Sequence, residues 1–163
     1  MHKLSPKVLE GTYKLLKDVL KVEGGENVVI TADTGSDVDV VIATMESAKS
    51  LGAKPMVIYY PMPPHVGKAA DPYLPLEPLE AALMNADVWI EFNKSWLLYS
   101  TPWDRVMEKN TVRYICLVGM DKDMLVRNVG RVNVRAVLEF QRVLGEITRK
   151  ARRMHLTTPA GTD

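Results

Sequence analysis

The 163-residue sequence is poor in the features that mark secreted, membrane and nucleic-acid-binding proteins. It has one cysteine, Cys116, so an intrachain disulfide is excluded and a reducing compartment is favoured. No apolar run approaches the roughly 18 residues of a membrane span, and Met1–Pro6 lacks the apolar core of a signal peptide. The formal net charge of +1 offers no attraction to nucleic acid or to anionic lipid. These absences predict a cytoplasmic protein that binds neither nucleic acid nor a membrane.

Strand patterns alternate with helix patterns along the chain, of which 47% is hydrophobic. Short β-branched and apolar runs predict four strands, at 27–32, 54–60, 87–92 and 112–118. Periodicity and capping residues predict helices at 4–22, 38–51, 77–85, 102–109, 121–128 and 133–152, with Asn133 as the N-cap of the last. This alternation implies right-handed crossovers and a mainly parallel sheet covered on both faces. We therefore predict an α/β fold, a three-layer Rossmann-like domain with a sheet of four to five strands.

The last residues resemble the beginning of a further element. Met154–Thr158 has the pattern of a strand entry, and Pro159–Gly161 predicts a turn into another strand. We assign residues 1–152 to a Rossmann-like N-terminal domain and 153–163 to the start of a connection into a second domain, absent from this sequence. The chain is thus expected to be the first domain of a longer protein.

In an open parallel sheet, ligands bind beyond the carboxyl ends of the strands. Four loops follow the predicted strands: Asp33–Asp37, Tyr60–Leu76, Asn93–Thr101 and Gly119–Asp123. The stretch from Pro61 to Leu76 is predicted to be irregular, is too long for an ordinary connection and is expected to line a site. The four loops are therefore the places to search for function.

The first of these loops has three interpretations. A glycine before a helix can form a phosphate turn, but the loop lacks the spaced glycines and the lysine of nucleotide-binding motifs. Asp33, Asp37 and Asp39 could bind Mg²⁺. The favoured interpretation is that Ser36 or Asp37 caps the following helix.

Transition-metal sites need convergent ligands, and the three histidines, His2, His65 and His155, lack the spacing of metal motifs. No metal site is therefore expected in this chain. Cys116 lies in an apolar strand pattern and is predicted to be a buried small hydrophobe, not a nucleophile.

The segment from Asn93 to Trp103 is the best candidate for binding a substrate. Trp96, Tyr99 and Trp103 accompany polar side chains there, at the predicted carboxyl end of a strand. Such residues can form a flat apolar slot with hydrogen-bonding tips. They can equally cover the end of the sheet or a domain contact, because aromatic clusters also serve interfaces.

The carboxyl-terminal stretch resembles the junction between two domains in one superfamily. That superfamily contains the 2,5-dihydroxypyridine 5,6-dioxygenases and the aminopeptidase T-like metallopeptidases. In both, an A-R-x-x-H-like stretch leads to an A-G-(S/T)-D turn. The matching residues here are Ala151, Arg152, His155, Ala160, Gly161, Thr162 and Asp163. The resemblance implies a domain of either an iron(II) ring-cleaving dioxygenase or a zinc- or cobalt-dependent aminopeptidase, with metal ligands located beyond Asp163.

The same resemblance assigns roles within the aromatic loop. In the dioxygenases a Leu-Leu-His-Ser loop contributes its histidine to the substrate pocket, and the corresponding segment here is Leu97–Ser100. Tyr99 replaces the histidine, so this chain departs from the pattern for dihydroxypyridine. Trp96, Tyr99 and Ser100 are implied to contact the substrate, with Tyr99 as its catalytic, orienting group.

We therefore expect a substrate-pocket domain that is inactive alone and takes part in a metal-dependent dioxygenase. Its expected partners are a small-molecule substrate, a second domain or partner chain, and further copies in a homo-oligomer. The alternatives are an aminopeptidase T-like domain and a non-catalytic binding or structural subunit. The divalent metal, Fe(II) or Zn/Co, is expected only in the complete enzyme.

Overall fold

The computed structural model describes residues 4–162 and contains one four-stranded sheet. Its strands are β1 (Asn27–Asp33), β2 (Lys54–Tyr60), β3 (Val88–Glu91) and β4 (Arg113–Cys116). They lie in the order β2-β1-β3-β4, and every pairing is parallel. The chain therefore switches direction across the sheet after β2, as in doubly wound folds. The predicted Rossmann-like α/β class is confirmed.

Helices connect and flank the strands. They are α1 (Pro6–Lys14), α2 (Val38–Ser50), α3 (Leu76–Met84), α4 (Thr101–Lys109), α5 (Lys122–Leu125) and α6 (Val134–Lys150). Wider π-helical turns extend α1 over Leu15–Val19 and α5 over Val126–Gly130. The segment predicted to be irregular contains a 3₁₀ helix, Gly67–Tyr73, that includes Pro72. No helix in residues 4–162 is long and apolar enough to cross a membrane.

Hydrophobic residues cover both faces of the sheet. On β1, Val28 and Ile30 join one buried cluster with residues of α1 and α2, whereas Val29 joins another. The second cluster includes Trp89 from β3, with residues of α3 and α4. Alternate side chains of a strand point to opposite faces, so one buried strand contributes side chains to both hydrophobic clusters. This packing explains why the consecutive residues Val28, Val29 and Ile30 of β1 are all apolar.

The chain divides into two compact units, Met1–Arg131 and Val132–Asp163. In the second, Asn133 caps α6 as predicted, because its Oδ1 accepts the Ala136 N–H at 3.1 Å. The predicted strand at Met154–Thr158 is wrong: these residues are irregular, since they have no ladder partner among the described strands. The turn that follows is confirmed by a 3.0 Å bond from Gly161 N to Thr158 O. The assignment of residues 1–152 to one domain stays a prediction.

Candidate functional site

Three of the four predicted loops meet at the carboxyl edge of the sheet, around a cleft of about 230 Å³. The residues that line it are Gly35, Ser36, Asp37, Phe92, Lys94, Gly119, Met120 and Asp121. The loop after β2 lies against the same assembly: Ser95 Oγ donates to Pro63 O at 2.9 Å, and Met62 N donates to Thr34 Oγ1 at 3.0 Å. Parallel strands place their carboxyl ends together, which is why loops distant in sequence converge here.

Asp33 joins the first loop to the third. Its buried carboxylate accepts the Gly35 N–H through Oδ1 and the Ser95 N–H through Oδ2, both at 2.9 Å. A Cβ on Gly35 would lie 2.8 Å from the Lys94 Cβ, so the close approach of these loops requires glycine. Asp33 is therefore a structural tie between loops.

The favoured reading of the first loop, a helix cap, is confirmed. Asp37 Oδ1 accepts the Asp39 N–H at 3.1 Å and caps α2. Lys122 Nζ lies 3.3 Å from Asp37 Oδ1 and 2.7 Å from Asp39 Oδ2. Asp37 thus caps α2, and Asp37 and Asp39 both form ion pairs with Lys122.

Residues 4–162 bring together no group of three or more histidine, cysteine, aspartate or glutamate side chains able to hold a metal ion. His65 instead packs on Tyr73, with ring centroids 5.7 Å apart. His2 lies outside the described residues. The residues present therefore do not fit the catalytic metal, whose ligands the sequence resemblance implies beyond Asp163.

A second buried carboxylate, Glu91, lies at the end of β3. One oxygen accepts the Leu97 N–H and the other accepts the Tyr114 hydroxyl hydrogen. Burial raises the pKa of Glu91 above its usual 4.5, although the hydrogen bonds from Tyr114, Leu97 and Cys116 oppose this. Burial, followed by the nearby charge of Glu91, also raises the pKa of the Cys116 thiol.

Sequence reasoning missed this glutamate and placed Cys116 in a purely apolar setting. Cys116 is only partly buried and belongs to the polar cluster around Glu91. A charged residue ending the otherwise apolar run Val88–Ile90 is the signal that could have found it.

The aromatic loop presents two side chains to solvent. Trp96 is 39% exposed and Tyr99 is 63% exposed, while Leu97 between them is fully buried. The Tyr99 ring packs edge-to-face on Trp103 at 5.1 Å, and Trp103 packs in the same way on Tyr114 at 6.4 Å. A row of three rings thus runs from the exposed phenol into the domain.

Tyr99 is held in a left-handed backbone conformation, with φ of 67°. A bulky residue in that region costs on the order of 1–3 kcal/mol and persists only where the surroundings enforce it. Such positions cluster at functional sites.

The third predicted contact residue, Ser100, is fully buried. It is the N-cap of α4, where its Oγ accepts the Trp103 N–H at 3.4 Å. The structure therefore brings Trp96 and Tyr99 to the surface on one loop and places Ser100 beneath them. Contact of any of the three with a substrate stays a prediction.

Two buried polar atoms near this loop have no hydrogen-bond partner among the described residues, namely Asn93 Oδ1 and Trp103 Nε1. The other side of the Asn93 amide donates to the Tyr60 hydroxyl at 2.8 Å. Unmatched buried polar atoms are uncommon, and they mark the base of the loop as a place where a water molecule can bind.

The chain is similar in sequence to one protein family and in fold to two solved structures. Residues 12–163 match the sequence family described as 2,5-dihydroxypyridine 5,6-dioxygenase. Among solved structures, the fold is similar to 2,5-dihydroxypyridine dioxygenase from Pseudomonas putida KT2440, with a TM-score of 0.69 and 24% identity over 95% of this chain and 45% of that chain. No curated protein sequence matches the chain significantly.

The fold is also similar to AmpT, an aminopeptidase T, from Thermus thermophilus. That likeness has a TM-score of 0.55 and 16% identity, and it covers 88% of this chain and 48% of that chain. The chain therefore spans less than half the length of either solved protein. At these identities the two likenesses show the fold alone.

Proposed function

The chain belongs to the 2,5-dihydroxypyridine 5,6-dioxygenase family, and we propose that it supplies one wall of the substrate pocket in a metal-dependent enzyme that cleaves an aromatic ring. One observation carries this proposal. The loop between β3 and α4 presents Trp96 and a strained Tyr99 to solvent at the carboxyl edge of the sheet, where open parallel sheets generally bind ligands.

The exposed side chains suit a flat substrate with polar substituents. An indole face can stack on an aromatic ring, and a phenol can donate a hydrogen bond to a ring oxygen. A phenol is a poor base at neutral pH, so Tyr99 would orient the substrate or stabilise an oxyanion rather than remove a proton. Trp103 supports Tyr99 from behind through their edge-to-face contact.

The metal would come from elsewhere. Ring cleavage by a non-haem iron enzyme needs several convergent ligands, which residues 4–162 do not assemble. In this proposal a second domain or a partner chain holds the ion, and this chain alone is inactive. Its own contribution is binding, orientation and exclusion of water.

The likeness to AmpT supports a second candidate, a domain of a metal-dependent aminopeptidase. The two candidates differ in chemistry that is simple to measure, since only the dioxygenase consumes oxygen. A third, a non-catalytic binding subunit, predicts aromatic ligand binding without turnover in any context.

The test uses the natural gene product at its full encoded length, loaded with Fe(II) or with Zn(II) or Co(II). We expect oxygen uptake with Fe(II) and a dihydroxylated aromatic ring, and no release of amino acids from peptides. Peptide cleavage without oxygen uptake would establish the aminopeptidase candidate instead. Aromatic binding with neither activity would establish the binding subunit.

Tyr99→Phe examines the role of the phenol. Loss of one substrate hydrogen bond should lower kcat/KM about 3- to 10-fold, equivalent to about 1 kcal/mol. Stability should change by less than about 0.5 kcal/mol, because the ring contact remains and the side chain is exposed. Unchanged kcat/KM would remove Tyr99 from the pocket. Tyr13→Phe, at another exposed tyrosine, is the matched control.

A further inference from the structure

We propose that Glu91 is the positioning residue of the aromatic loop: its buried carboxylate fixes the backbone between Trp96 and Tyr99 and thereby sets where Tyr99 meets the substrate. The functional part of this inference rests on the proposed function. The structural part, control of the loop by one side chain, stands on contacts within the domain.

The first contact is to the backbone of the loop itself. Leu97 N–H donates to one carboxylate oxygen of Glu91, and both residues are fully buried. Leu97 directly follows Trp96 and precedes Tyr99 by two residues. A fixed point at Leu97 therefore restrains both exposed aromatic side chains.

The second contact of Glu91 leads to Tyr99 through a series of side chains. The other oxygen of Glu91 accepts the Tyr114 hydroxyl hydrogen, and the Tyr114 ring lies against Trp103, which lies against Tyr99. One carboxylate thus binds the loop backbone at Leu97 and also supports the Tyr99 ring through Tyr114 and Trp103. Burial and the charge of Glu91 raise the pKa of Tyr114, so its hydroxyl remains a donor.

The energetics distinguish Glu91 from an ordinary core residue. A carboxylate in a sheet interior loses its hydration, and a well-packed apolar side chain usually fits such a position at lower cost. The hydrogen bonds that compensate this loss come from Leu97, Tyr114 and Cys116, and the first two are the routes to Tyr99. A glutamate at this position therefore lowers the folding stability relative to an apolar residue, while it controls the loop.

A matched control lies beside Glu91 in the sheet. Thr31 of β1 is paired in register with Glu91 of β3, is also buried, and accepts the Trp89 indole N–H at 3.0 Å. Thr31→Val removes a buried hydrogen bond in the same layer without touching Leu97. It reports what general destabilisation of the sheet does to the loop.

The experiment measures amide hydrogen exchange and backbone shifts by NMR in the full chain, for Glu91→Leu, Glu91→Gln and Thr31→Val. In Glu91→Leu we expect Leu97 N–H to exchange at least 10-fold faster relative to Ile30 N–H, and the Tyr99 amide resonance to move. Glu91→Gln should restore most of the protection, because its amide oxygen can accept the same bond. Thr31→Val should leave the Leu97 to Ile30 ratio unchanged.

Equal ratios in Glu91→Leu and Thr31→Val would overturn the inference. If Glu91→Leu does not fold, Tyr114→Phe tests the second route alone: the Tyr99 resonance should move while Leu97 stays protected, and an unmoved Tyr99 would count against that route. None of these readouts requires a ligand.

Titration of the unmodified chain with 2,5-dihydroxypyridine, followed by the Tyr99 amide, separates the two proposals. Loop changes in Glu91→Leu without any response to this ligand would retain the positioning role and reject a pocket for this dihydroxylated ring. If the ligand shifts the Tyr99 resonance equally in the unmodified chain and in Glu91→Leu, the pocket is retained and the positioning role is rejected.

Discussion

At the scale of single residues, two buried carboxylates organise the candidate site. Asp33 holds the start of the aromatic loop through Ser95 N–H, and Glu91 holds its middle through Leu97 N–H. Backbone N–H groups in a buried loop require acceptors, and a carboxylate supplies several from one side chain. These acids therefore act on the loop backbone, while the exposed rings remain available for contacts.

Glu91 should also give the domain a characteristic dependence of stability on pH. Its pKa is raised in the folded state, so the folded protein binds more protons than the unfolded chain at pH values between the unfolded pKa of about 4.5 and the higher folded pKa. Its contribution is therefore most favourable below pH 4.5 and is lost as the pH rises through the folded pKa. Glu91→Gln removes this titration, and its stability relative to the unmodified chain should increase as pH rises.

Urea denaturation between pH 4 and pH 8 measures this difference. Thr31→Val should keep the pH slope of the unmodified chain, because it changes no titrating group. Parallel stability curves for Glu91→Gln and the unmodified chain would show that Glu91 has an ordinary pKa. Cys116 and Tyr114, whose pKa values the charge of Glu91 raises, titrate above this pH range. Groups that do not interact with Glu91 affect both proteins equally and cancel in the comparison.

At the scale of elements, one glycine couples the 3₁₀ helix to the aromatic loop. Gly67 has φ of 56°, and its N–H donates to Trp96 O at 3.0 Å. An added Cβ would lie 3.0 Å from Leu98 O, a backbone atom that cannot move without moving the loop. The residue is thus a glycine both for its backbone conformation and for the space available.

Gly67→Ala should therefore lower the free energy of unfolding by about 1–3 kcal/mol and shift the Trp96 and Tyr99 resonances. Gly145→Ala is the contrasting variant, since Gly145 lies within α6 with space for a Cβ and should become more stable by about 0.5–1 kcal/mol. Thermal unfolding of both variants tests the argument. Equal effects at the two positions would contradict it.

The sequence predicted the secondary-structure elements more completely than the contacts between residues distant along the chain. Runs such as Val28–Ala32 identify a buried parallel strand by composition alone, and Asn133 correctly marked the start of α6. The bond between Asp33 and Ser95 joins residues 62 positions apart, so no local pattern contains it. The strand expected at Met154–Thr158 failed because strand propensity becomes a strand only with a partner.

At the scale of the whole molecule, α6 has an apolar stripe open to solvent. Val137, Phe140, Leu144 and Ile147 follow steps of three and four residues along it. Phe140 is 68% exposed and Ile147 is 62% exposed. On the polar side, Arg142 pairs with Glu139 and Glu146, so those charges are matched within the helix. Apolar residues at this spacing form the seam of helix pairs.

We expect this stripe to drive the predicted self-association of the chain, with the α6 helices of two copies packed together. Phe140→Glu combined with Ile147→Glu should reduce the mass measured by light scattering at rising protein concentration, because each buried apolar contact is replaced by a charge. Arg135→Gln combined with Arg149→Gln changes the net charge by the same amount outside the stripe and should leave the mass unchanged. Equal loss in both double variants would attribute association to charge rather than to α6 packing, and a monomer at every concentration would exclude a second copy as the occupant of this surface.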